Sequence, residues 1–64
     1  MVNTDKTVNG LSISYKIEKN GYSIYLGGKL WITQYGEYSK PMDKTKSIEK
    51  NCLLQIEEIT TTGE

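Results

Sequence analysis

Residues 11–18 alternate without a break, with Leu11, Ile13, Tyr15 and Ile17 on one side and Ser12, Ser14, Lys16 and Glu18 on the other. A period of two over eight residues is the mark of a half-buried strand. Asn20-Gly21 follows at once. That dipeptide accepts the two positive-φ positions of a type I′ turn, the strongest short-range hairpin signal. A turn centred there sets Lys19 opposite Tyr22, Ile17 opposite Ile24 and Tyr15 opposite Leu26, so apolar side chains meet on one face. The second strand is then residues 22–26.

Gly27-Gly28-Lys29 makes a second turn, and residues 30–35 (LWITQY) read as a third strand. Two registers are open for it. A three-residue loop pairs Leu30 with Leu26 and Ile32 with Ile24, and sends Trp31, Thr33 and Tyr35 to the far face with Tyr25. A two-residue Gly-Gly turn shifts the strand by one and turns Trp31 into the core, because side chains alternate. The first keeps two aliphatic pairs together and is the expectation adopted. Pro41 biases the residue before it away from helix. Beyond it, Thr45 or Ser47 can cap a helix. Ile48, Cys52, Ile56 and Ile59 recur at helical spacing and Leu53 broadens the stripe, so the helix is expected from about residue 46 to about residue 59.

The expected fold is therefore α+β: a three-stranded antiparallel meander (β-β-β) with one C-terminal helix packed on one face. Residues 1–10 read as a flexible N-terminal arm, 11–59 as a single β-β-β-α domain and 60–64 as a flexible tail.

Composition narrows the chemistry. The 64 residues carry 8 Lys and 8 acidic side chains, with no Arg, no His and one Cys, Cys52. Without His there is no His-based triad, and a single Cys forms no intrachain disulfide and few zinc sites. Cys52 falls on the apolar helix stripe and reads as a small core residue. Glu57 and Glu58 are adjacent and diverge by about 100° on a helix, so they are not a carboxylate pair. Gly27-Gly28 leads into a strand rather than a helix N-terminus, which removes a phosphate loop. No enzyme activity, metal or cofactor is expected. No apolar run is long enough to cross a bilayer and no leader pattern opens the chain, so a cytoplasmic location and no membrane contact are expected.

The aromatic residues are the candidate site. Tyr25, Trp31 and Tyr35 share the outer sheet face in the adopted register, with Tyr38 in the following loop and Leu54 off the helix stripe. Tyr and Trp dominate binding hot spots because they bury large area with few rotors. These five residues are the expected partner or self-association surface. Lys40, Lys44 and Lys46 form the most basic stretch and are a candidate anion contact. So short a chain, lacking disulfide and His-based metal site, is expected to gain stability as a homodimer or higher homo-oligomer.

Residues 20–25 (NGYSIY), 28–34 (GKLWITQ) and 47–59 (SIEKNCLLQIEEI) resemble, in style and order, short orphan accessory proteins of phages and prophages of low-G+C Gram-positive bacteria. The Lys-, Ile-, Asn- and Tyr-rich composition, drawn from A/T-rich codons, suits such genomes. That group includes inhibitors of host antiphage defence, but it has no shared site motif to carry over. The resemblance implies a phage-encoded binding protein that blocks a host defence protein. Two other readings stand beside it. One is a nucleic-acid-associated module using the sheet aromatics and the Lys-rich loop, disfavoured by zero net charge. The other is an oligomeric binder of a nucleotide signal.

Overall fold

The computed structural model describes residues 1–36 and 41–62. Four strands, β1 (Val2–Val8), β2 (Leu11–Glu18), β3 (Gly21–Leu26) and β4 (Lys29–Thr33), form an antiparallel sheet in sequential order. One helix, α1 (Ile48–Thr62), lies on its inner face, chiefly over β3, with β1 and β2 beside it. The class is α+β as expected, but the sheet has four strands, and the added one is built from residues expected to be a loose arm.

The device that recruits β1 is the turn Asn9-Gly10. Asn9 has φ 53° and Gly10 φ 81°, and Val8 pairs with Leu11 across them. Two consecutive positive-φ residues closing a two-residue loop are the type I′ geometry. The strand lacks visible alternation because residues 3–7 are all polar, and its ladder is broken between Asn3 and Thr7, where residues 4–6 stand opposite Ile13. Thr4 repairs the break: its hydroxyl donates to the Ile13 carbonyl at 2.8 Å, and the Lys6 N–H donates to Thr4 Oγ1 at 3.2 Å.

Asn20-Gly21, by contrast, does not make the expected turn. Neither residue has positive φ, Gly21 pairs with Glu18, and Lys19-Asn20 closes the hairpin. Tyr15 therefore faces Ile24 and Ile17 faces Tyr22, a register two residues away from the expected one. The observed register gives Ile13 a partner in Leu26; the expected one would have set Ile13 against Gly28. Because the slip is two residues, every side chain keeps its face. A Cβ on Gly21 would lie 2.0 Å from Gln34 Oε1, so the end of that side chain would have to shift.

The β3–β4 connection combines features of both registers considered. Gly27 and Gly28 both have positive φ and form a two-residue turn, setting Leu26 opposite Lys29. Tyr25 then faces Leu30 while Ile24 faces Ile32, leaving Trp31 as the extra residue of a bulge. The bulge restores the Ile24–Ile32 pair, and Ile32 is buried. Leu30, expected to oppose Leu26 in the core, is instead 60% exposed.

The core consists of Ile13, Tyr15, Tyr22, Ile24, Ile32, Cys52 and Ile56, with Val8, Leu26, Trp31, Met42, Ile48 and Ile59 packed partly buried around it. Ser47 caps the helix, its hydroxyl accepting the Lys50 N–H at 3.1 Å. The helix runs on to Thr62, past the tail expected from residue 60. Thr60 and Thr61 donate their hydroxyls back to the helix carbonyls of Ile56 and Glu57 instead of to solvent.

Gly10→Ala should cost about 1 kcal/mol, from φ alone, because nothing lies within 4 Å of the added carbon. Gly21→Ala should cost more, through its clash with Gln34, and Gln34→Ala should recover part of that loss. Denaturant unfolding of the two single variants and the double variant measures the coupling; additive effects would mean that Gln34 does not impose glycine at position 21.

Candidate functional site

The described members of the expected surface do not form one surface. Tyr35 stands 79% exposed just beyond β4, its hydroxyl 3.5 Å from the Asn20 carbonyl. Tyr25 is half-buried on the outer sheet face, between Ser14 and Leu30 in the ladder. Trp31, expected to be free on that face, is half-buried and packs against the core, because the bulge redirects it. Leu54 is 41% exposed on the helix, across the sheet from Tyr25. Tyr38 lies outside the described residues. Sequence reasoning missed Leu30, whose exposure depends on a bulge that no residue type announces.

Two clefts adjoin these residues. One, of about 390 Å³, lies at the β2–β3 turn, with Glu18, Lys19, Gly21, Thr33, Gln34 and Tyr35 in its lining. Gln34 Oε1 is buried there without a hydrogen-bond partner. Ser23 closes the floor of the turn by donating to Glu18 Oε1 at 3.0 Å. The other, of about 330 Å³, separates α1 from the segment before it, between Pro41, Asp43, Asn51, Leu54 and Glu58.

That preceding segment is tied down by side chains. Asn51 accepts the Asp43 N–H at 2.8 Å and donates to the carbonyls of Asp43 and Ser47 at 3.1 and 2.8 Å. The Asp43 carboxylate takes the Lys46 ammonium at 2.7 Å and the Thr45 hydroxyl and N–H at 2.6 and 2.9 Å. Lys46 and these Thr45 donors hold the Asp43 carboxyl well below the usual carboxylate range. Of the three lysines expected to meet an anion, Lys46 is thus paired with Asp43, Lys44 is exposed in the same turn, and Lys40 lies outside the described residues.

Two tyrosines join sheet to helix. Tyr15 donates its hydroxyl to Glu49 Oε2 at 2.8 Å, and Tyr22 donates to Gln55 Oε1 in the buried interior. The bond to Glu49, then burial, raises the Tyr15 phenol above its ordinary value, and burial raises Tyr22. Cys52, fully buried, has its thiol pushed up to about 12, mainly by burial. A thiol in that state is not a nucleophile near neutral pH. Among the described residues, no three or more His, Cys, Asp or Glu side chains gather where they could hold a metal ion. No helix of the described residues is long and apolar enough to cross a membrane.

Compared with protein families, characterised proteins and solved structures, the chain shows no significant match.

The raised groups set an alkaline limit. Between the ordinary thiol value of 9 and about 12 the unfolded chain releases the Cys52 proton while the folded chain keeps it. Stability is therefore fully present below pH 9 and falls as pH rises, with Tyr15 and Tyr22 adding to the fall above 10. Urea midpoints measured from pH 9 to 12 should drop steadily. Cys52→Ala should begin less stable and lose less over the same range; an equal slope would mean that the thiol does not contribute.

Proposed function

We propose that this chain is a non-enzymatic protein-binding module that contacts its target through the β4 side of the sheet. The observation that carries this reading is the exposure of two large apolar side chains there, Leu30 at 60% and Tyr35 at 79%. β4 is an edge strand, and an apolar, uncovered edge is a ready surface for another chain. Tyr35 walls the cleft at the β2–β3 turn, so a partner side chain seated there would gain both an aromatic contact and polar groups. Half-buried Tyr25, opposite Leu30 in the ladder, supplies a firm base. The engagement of Lys46 with Asp43 favours a protein target over nucleic acid.

The phage resemblance of residues 15–59 extends the reading: the target is a host antiphage defence component, and the chain inhibits it by occupying a surface. The test is to express the chain in a low-G+C host carrying a defence system and to score phage plating, alongside titration of the purified defence protein. The wild type should restore plating. Tyr35→Ser or Leu30→Ser should weaken target binding by about tenfold or more and abolish the rescue, with the fold retained. Rescue undiminished in both variants would overturn the β4 surface. A thousandfold loss of affinity on raising salt would transfer the reading to a nucleic-acid partner.

A further inference from the structure

The helix has a second face, independent of the one that enters the core. At about 100° per residue, Lys50, Leu53, Leu54, Glu57 and Thr61 fall within an arc about 100° wide. They lie on the side turned away from buried Cys52 and Ile56, and all five are exposed, Leu53 at 38% and Leu54 at 41%. The two adjacent leucines there are each about two-fifths exposed, and Leu54 also lines the cleft beside Pro41.

We infer that this face pairs with the same face of a second copy, the two helices running antiparallel about a two-fold axis between Leu53 and Leu54. The sequence is self-complementary in that arrangement. Leu53 of each copy meets the partner's Leu54, and Lys50 of each copy meets the partner's Glu57. One two-fold contact thus forms a leucine layer closed at both ends by a Lys–Glu pair. A parallel pairing would set Lys50 against Lys50 and Glu57 against Glu57, so charge selects the antiparallel one. The ion pair formed among the described residues is Lys46–Asp43, and neither Lys50 nor Glu57 takes part in it. Two helical turns span only about 10 Å, less surface than a stable interface buries, so the dimer is weak.

This contact does not rest on the partner reading. Leu30 and Tyr35 lie off the helix, so Tyr35→Ser should dimerise as the wild type does.

Sedimentation equilibrium up to about 1 mM, a range that reaches weak contacts, tests it. The wild type should shift from monomer to dimer. Lys50→Glu and Glu57→Lys should each weaken self-association by about tenfold, because each sets like charges opposite one another twice. An equimolar mixture of the two variants should regain the dimer, since every Glu then meets a Lys. The double variant should regain it alone. Leu54→Glu should lose it with circular dichroism unchanged, and it provides an independent arm should a charge variant misfold. A wild type that remains monomeric, single reversals that dimerise normally, or a mixture that stays monomeric would each overturn the proposal.

Discussion

Cys52 and Ile56 sit directly on the isoleucine row of the sheet, and these two residues with Ile13, Ile24 and Ile32 are the most completely buried side chains of the chain. The rest of the architecture follows from how that contact is held. Glu49 and Gln55 project on opposite sides of the Cys52 line, each by about 60°. Tyr15 reaches the first and Tyr22 the second. A helix bonded on both flanks cannot roll, so the leucines at 53 and 54 are committed to solvent. The tyrosines suit this use because each gives the core an aromatic body and the helix a polar tip.

The fold was legible where side-chain periodicity carries it, and obscure where backbone conformation does. The apolar stripe of α1 survives into the structure, whereas along residues 11–18 only Ile13 and Tyr15 of the expected inner side are buried, Leu11 and Ile17 being exposed and Ser14 buried. Asn-Gly occurs twice, at 9–10 and 20–21, and the strand-forming hydrophobic pattern lies beside the second. The structure uses the positive-φ turn at the first. Local turn chemistry was equal at the two places, and tertiary pairing decided between them. Ile13 gains Leu26 as a partner, and Gly21 makes room for Gln34. Strand β1 could not be read by alternation, since its middle residues Thr4, Asp5 and Lys6 are all polar and stand opposite the single residue Ile13.

The candidate site was less legible for the same reason. Assigning Tyr25, Trp31 and Tyr35 to one face assumes unbroken alternation along β4. One bulge residue cancels that assumption, carrying Trp31 toward the core and leaving Leu30 outside. Cys52 could be placed from spacing alone, because a helix stripe of four apolar residues has one buried side. The lysine stretch shows a different limit: charge counts do not reveal that Asp43 holds Lys46.

The two edges of the sheet differ in a way that bears on which side meets other molecules. β1 carries Asp5 and Lys6 in its irregular segment, and Thr4 spends its hydroxyl on a neighbouring carbonyl. Charge and a broken ladder are how natural sheets discourage another strand from joining. β4 carries a bulge as well, but its side chains are Leu30, Trp31 and Ile32, and Tyr35 follows. On the outer face between them Tyr25 is half-buried, and Ser14 and Ser23 are buried. Such a face offers little area to desolvate. Apolar surface is exposed at the β4 edge and on the outer side of α1, which the sheet keeps apart, and also at Met1, Val2, Leu11 and Ile17. A molecule so small can hold two contacts at once only if they occupy separate surfaces, and the clamp of Tyr15 and Tyr22 on the helix is what keeps them separate.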